Sequence, residues 1–183
     1  DGALGFGATL QAGVVNRVQQ WTYNQYGQML SHDGPRTDVS DISTFTYYQN
    51  DAATCAAAPT TCPYRKVDLW KVTNALNHVS EYVAYDGAGR ALQMKDANNV
   101  ITDLQYHPRG WLTHRKVRGS DNATDADDAI TRMDYDATGQ VIKVTQPDGD
   151  FVNFTYDAAH RLTGISDALN NSITYTLDNA GNR

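Results

Sequence analysis

Tyr85-Asp86-Gly87-Ala88-Gly89-Arg90 decides how this chain is read, because variants of it recur along most of the sequence. The copies are Tyr23-Asn24-Gln25-Tyr26-Gly27-Gln28, Tyr106-His107-Pro108-Arg109-Gly110-Trp111, Tyr135-Asp136-Ala137-Thr138-Gly139-Gln140, Tyr156-Asp157-Ala158-Ala159-His160-Arg161 and Leu177-Asp178-Asn179-Ala180-Gly181-Asn182. First positions lie 21 residues apart from Tyr85 to Tyr106, from Tyr135 to Tyr156 and from Tyr156 to Leu177. From Tyr106 to Tyr135 the step is 29, which places an acidic insertion of eight residues near 120–129. A degenerate copy falls at Phe45-Thr46-Tyr47, where a cysteine-bearing loop near 50–64 replaces the tight turn. Internal repetition of this kind is read before anything else. It makes residues 1–183 one array of about seven units.

Each unit has a physical reading. Before the motif, apolar residues fall on alternate positions, as in Val83 and Tyr85, Leu104 and Tyr106, Met133 and Tyr135, or Val152, Phe154 and Tyr156. That period of two predicts a strand with one buried face. Asp then starts a turn, its carboxylate able to accept backbone N–H groups two or three residues on. Gly, fourth after the aromatic, supplies the positive φ that closes it. His160 stands in that place once, and His is among the residues that tolerate it. A second strand follows, as at Val141 to Val144 and Leu162 to Ile165, and turn-rich residues such as Asp96-Ala97-Asn98-Asn99 end the unit. Two strands and two turns fill 21 residues, so the unit is a β-hairpin. Single hairpins are marginal in water and must pair edge to edge. The prediction is an all-β chain whose long antiparallel sheet curls or spirals under its own twist.

Composition narrows the functional classes. Net charge is −6, which disfavours a phosphate backbone and excludes nucleic acid as a partner. Eleven Tyr against four Phe suits a sheet whose faces stay partly wet. No run approaches the roughly 20 apolar residues of a membrane span. The chain opens at Asp1 in a Gly-rich run and stops at Arg183 inside its own motif, so both ends read as truncated. Targeting signals are expected outside this piece.

The chemistry-bearing residues are scattered. His32, His78, His107, His114 and His160 lack metal-ligand spacing, and no Gly-x-Ser-x-Gly elbow occurs. Asp86, Asp136, Asp157 and Asp178 recur once per hairpin, as turn caps do and catalytic pairs do not. Asp121, Asp125, Asp127 and Asp128 lack the Gly and Glu of a calcium-binding loop and read as a solvated insertion. No catalytic, metal or cofactor residue is expected. Arg90, Arg109 and Arg161 are expected to lie over Tyr rings or pair with Asp. Cys55 and Cys62 are read as a small disulfide pinning a surface loop, with two reduced thiols as the alternative. Trp21, Trp70 and Trp111 are candidates for stacking sugar rings, which leaves a carbohydrate-binding or adhesive module as the second functional reading.

The structural set is then Tyr23, Gly27, Tyr85, Asp86, Gly89, Arg90, Tyr106, Gly110, Tyr135, Asp136, Gly139, Tyr156, Asp157, Arg161, Asp178 and Gly181. In core, spacing and intervening turn these copies resemble the YD repeats of the Rhs family, from about Val18 to Arg183. Tyr85 to Arg90 fits the core fully and the other copies fit it in part. The family includes bacterial polymorphic toxins, insecticidal toxin complexes and teneurins, in which such repeats wind into a hollow β-shell. The resemblance implies a secreted or surface-delivered bacterial protein in which this segment forms shell wall around an effector. Its partners would be other shell segments and that effector. Unpaired edges at the sheet ends also predict edge-to-edge association of copies.

Overall fold

Alternating side chains make strands, and Asp- or Asn-led turns reverse them, with little to nucleate a helix. The computed structural model describes residues 17–120 and 126–183. Asp121 and Asp125 of the acidic insertion lie outside the described residues, as does the Gly-rich opening. Two compact units meet within one strand, Asp1–Tyr82 and Val83–Arg183. The first holds β1 (Gln20–Tyr23), β2 (Met29–Asp33), β3 (Ser43–Tyr47), β4 (Leu69–Thr73) and the start of β5 (Val79–Tyr85). The second holds the end of β5, then β6 (Ala91–Lys95), β7 (Ile101–Tyr106), β8 (Leu112–Val117), β9 (Ala129–Tyr135) and β10 (Val141–Thr145). It finishes with β11 (Phe151–Tyr156), β12 (Leu162–Asp167) and β13 (Ser172–Thr174). Strand order follows chain order and the pairs are antiparallel. The tandem-hairpin, all-β architecture expected from the spacing is the one present. The helical element among the described residues is a single 3-10 turn, Ala53–Ala56.

Register sorts the side chains onto two unlike faces. In the second unit, Val144 faces Met133 on one side and Val152 on the other, and Phe154 faces Ile165. The opposite face pairs Asp103 with Lys116, Lys143 with Asp134 and Asn153, and Asn153 with Ser166. The alternation is as read from sequence, but the apolar face is half-buried and not buried. Among the described residues only Ala52 and Cys55 fall in the buried class. Neither unit therefore has a conventional core. Stability has to come from ladder hydrogen bonds, cross-strand pairs and turns, each worth about 1 kcal/mol or less.

The two turns of each repeat prove to be the same turn. Asp86 N–H donates to the Arg90 carbonyl at 2.9 Å and Gly89 N–H to the Asp86 carbonyl at 3.0 Å. The same pair of bonds recurs at Asn24, His107, Asp136, Asp157 and Asp178. It recurs again at the opposite sheet edge, at Asn74, Asp96, Gln146 and Asp167. This is a three-residue hairpin loop whose last residue is left-handed. Gly takes that position at the motif edge, with φ between 76° and 96° at Gly27, Gly89, Gly110, Gly139 and Gly181. His160 takes it at 62°, and Asn77, Asn99 and Asn170 take it at the opposite edge between 62° and 65°.

What separates the two edges is a bulge. Register slips by one residue next to the motif turn in β1–β2, β3–β4, β7–β8, β9–β10 and β11–β12. The extra residues are Leu30, Trp70, Thr113, Ile142 and Thr163. Hairpins closing at the other edge, such as β6–β7 and β10–β11, show no slip. An unpaired residue bends a strand and raises its twist locally, so each repeat is kinked at one edge only.

Candidate functional site

The motif edge gathers every residue of the repeat signature, and each has a separate mechanical task. Asp holds its own turn. Asp86 Oδ1 accepts from Ala88 N–H at 2.8 Å and Arg90 N–H at 3.0 Å. Asp157 Oδ1 does the same with Ala159 and Arg161, both at 2.9 Å. The amides captured are two and four residues on, not two or three, because the left-handed residue turns its own N–H toward the first carbonyl. At Asn24 an amide oxygen takes the carboxylate's place, and at His107 Nδ1 accepts from Arg109 N–H at 3.1 Å. These bonds favour the charged carboxylate. At Asp157 the Arg161 amide is the main cause of a lowered pKa, at Asp136 the Thr138 hydroxyl, and at Asp178 the Asn182 side chain. Burial pushes Asp86 up, but its bonds from Arg90 outweigh that and hold it below the usual range.

Tyr reaches back to the preceding repeat. Tyr47 Oη–H donates to the Met29 carbonyl at 2.8 Å, Tyr135 to Leu112 at 2.7 Å and Tyr156 to Val141 at 2.8 Å. Each acceptor stands six residues after the previous motif's first position, immediately before the bulge residue. The neighbouring ladder stops two residues short of it, at Ser31, His114 and Lys143. The phenol thus reaches a carbonyl beyond the end of that ladder and adds a bond there. Phe could not do this, so these three positions require Tyr.

The residue after the motif Gly reaches forward. Arg90 Nε bonds Asp86 Oδ2 at 2.6 Å while its guanidinium lies over the Tyr106 ring, 4.8 Å from the centroid. Arg161 bonds Asp157 Oδ2 at 2.8 Å and extends Nη1 to the Asp178 carbonyl of the next turn, also at 2.8 Å. Gln140 Nε2 reaches the His160 carbonyl at 2.9 Å and Gln28 Nε2 the Val67 carbonyl at 2.7 Å. At Gly110 and Gly139 the motif Gly serves this contact as well as φ. A Cβ at Gly110 would lie 3.2 Å from Arg90 Nη1, and one at Gly139 would lie 2.6 Å from Trp111 Cζ2. Sequence reading assigned Asp and Gly to turn formation and expected Arg over Tyr rings or paired with Asp, as at Arg90 and Arg161, but missed the Tyr hydroxyl as a connector between repeats.

The cysteine loop is built into the same frame. Tyr48 N–H donates to the Asp68 carbonyl and Val67 N–H to the Tyr48 carbonyl, both at 2.9 Å, which are the two closing bonds of an ordinary motif turn. Val67 thus takes the Gly position, with φ 72°. A disulfide joins Cys55 to Cys62. Tyr64 stacks on Tyr48 at 3.7 Å between centroids, and Tyr48 lies 5.6 Å from Trp70. Burial is the main reason that the Tyr48 hydroxyl, bonded to the Tyr82 carbonyl, is pushed up to about 12.

The tryptophans form no common platform within either unit. Trp21 stacks on His32 at 5.2 Å, and Trp70 is flanked by Tyr48 and by the Lys71 ammonium at 4.1 Å. Trp111 is flanked by His107 at 4.9 Å and Tyr135 at 5.3 Å. Among the described residues no group of three or more His, Cys, Asp or Glu could hold a metal ion. No helix there is long and apolar enough to cross a membrane.

A sheet of similar hairpins, tied back by a phenol at Tyr47, Tyr135 and Tyr156 and forward by a guanidinium or amide at Gln28, Arg90, Gln140 and Arg161, defines a tandem-repeat scaffold. Residues 122–150 and 156–183 match the RHS Repeat family model. No curated protein sequence matches it. Over 92% of its length it is similar to the crystal structure of TcdB2-TccC3-Cdc42, at 14% identity and a TM-score of 0.52. It is also similar to the crystal structure of TcdB2-TccC3, at 16% identity and a TM-score of 0.41 over 80% of this chain and 10% of that one. A third is the Photorhabdus luminescens Tc holotoxin pore, at 14% identity and a TM-score of 0.33 over 90% of this chain and 15% of that one. The first likeness shows a shared fold. This chain spans 10% of the length of that solved chain.

Proposed function

We propose that this chain is a length of wall from an RHS-type β-shell that encloses or displays an effector domain, in a protein secreted by or carried on a bacterial cell. Its role is architectural, the motif side chains serving turns and ties between repeats. The observation that carries this reading is the division of labour at the motif edge: Asp closes a turn, Tyr ties back, Arg or Gln ties forward. Such connections extend a sheet one hairpin at a time and suit a wall of any length. The partners would be adjoining shell segments and the effector.

The test is protease protection of the effector in the full gene product. Loosening the wall with Asp157→Ala and Arg161→Ala should expose the effector to cleavage. An effector equally protected in both proteins, or turnover of a substrate by the purified chain, would contradict the reading. Among the described residues β13 pairs with β12 alone, so its outer edge is open. Edge-to-edge association of the purified chain follows, seen as light scattering that rises with concentration, and a monodisperse monomer would count against it.

A further inference from the structure

The repeat at Tyr106 keeps the tight turn but departs from the motif at two positions, and a groove opens beside it. His107 replaces the turn Asp, and Trp111 replaces the forward-reaching Arg. The groove has a volume of about 460 Å³ and is lined by Trp111, Tyr135, Asp134, Asp136, Met133 and Arg109 among others. Trp111 lies across the next turn at Gly139, as Arg90 lies across Gly110. Arg109 stands 5.5 Å over the Trp111 ring and spends Nη1 on the Ala137 carbonyl at 2.6 Å.

The turn beneath is Asp136–Gln140, and its carboxylate is only half used. Oδ1 accepts from Thr138 N–H, Gln140 N–H and the Thr138 hydroxyl. In the sister turns the second oxygen is taken by the turn's own fifth residue: Asp86 by Arg90, Asp157 by Arg161, Asp178 by Asn182. Gln140 instead turns away, donating to the His160 carbonyl while its Oε1 meets His160 Nδ1 at 2.7 Å. Of the four motif aspartates, Asp136 is thus the one whose Oδ2 has no side-chain hydrogen bond among the described residues. Asp136 itself lines the groove, together with the Trp111 and Tyr135 rings.

We infer that this groove receives an arginine side chain from a partner polypeptide. The chain itself shows the binding mode. Twice it places a guanidinium on a motif Asp Oδ2, and at Arg90 that same guanidinium also covers a Tyr ring. An incoming arginine would take the Asp136 Oδ2 bond that Gln140 leaves open and lie against Trp111 or Tyr135. Charge-assisted pairing and ring stacking both suit the planar guanidinium better than a compact ammonium.

The test uses the whole chain, 15N-labelled, titrated with a short neutral peptide carrying one central Arg and with the same peptide carrying citrulline or Lys. The Arg peptide should shift the amides of Asp136 to Gly139 and the Trp111 indole N–H. Citrulline should bind at least about tenfold more weakly. Asp136→Asn should abolish the response. So should Gln140→Arg, which restores the motif's own arginine and fills the oxygen from within without harming the turn. Equal shifts with citrulline, or shifts that survive Gln140→Arg in a folded chain, would overturn the inference.

Discussion

Two turns of this molecule close with the same pair of backbone bonds and differ in nearly everything else. Between Asp157 and Arg161 the loop has three residues, Asp as cap and His160 left-handed. Between Tyr48 and Asp68 the loop runs from Gln49 to Val67, is cross-linked through Cys55 and Cys62, and has Tyr where the cap should be. The frame is therefore set by where the two bonds fall and by one left-handed residue, and not by what lies between. Longer loops cost little additional closure entropy, since the penalty grows only with the logarithm of length. What the large loop loses is the cap and the Gly. It compensates with a disulfide and with the stack of Tyr64 on Tyr48.

Acid should separate the two turns most widely. Asp86, Asp136, Asp157, Asp167 and Asp178 all have lowered pKa values, through bonds from their own turns that at Asp86 outweigh burial. A lowered native value means stability that is present above the unfolded value of about 4 and is lost as pH falls through the native ones. Amides of the turns capped by these five aspartates should lose exchange protection together in that window. The bonds at Tyr48 and Val67, with no carboxylate at the cap position, should persist to lower pH.

Removing the cross-link should act the other way round. Closing eight residues restrains the unfolded chain by about 2.5 kcal/mol in the loop-entropy account. Cys55→Ala with Cys62→Ala should lower the denaturation midpoint of the first unit by that measure and leave exchange at Asp157–Arg161 unchanged. A smaller gain should come from Val67→Asn. A β-branched residue with positive φ carries a penalty of about 1–2 kcal/mol that Asn largely escapes, and Asn fills the equivalent place at Asn77, Asn99 and Asn170. The variant should be more stable by about 1 kcal/mol in chemical denaturation, whereas a loss would show that Val67 is held by packing.

Much of this was legible in the residues. Alternation of apolar positions located the strands, and Asp with Gly located the motif turns, including the left-handed His160. The opposite turns read only as turn-rich because Asn77, Asn99 and Asn170 hide the same geometry under another residue. The tie from Tyr to a carbonyl could not be read at all. It depends on an acceptor beside a bulge, six residues past the previous motif's first position, and bulges leave no mark in the spacing of a 21-residue repeat. The arginine-sized vacancy at Asp136 was equally hidden, since Gln140 reads as an ordinary variant until its side chain is seen to turn away.

The central claim is that the motif fastens hairpin to hairpin, and Tyr156→Phe tests it by deleting one oxygen. The expected loss is small, about 0.5–1 kcal/mol for a part-buried neutral bond. Its location is what matters. Hydrogen exchange should quicken along the β10–β11 ladder, at Lys143–Thr145 and Phe151–Asn153, and stay unchanged in the Asp157–Arg161 turn that carries the substitution's own motif. Quickening confined to that turn, or none anywhere, would contradict the account.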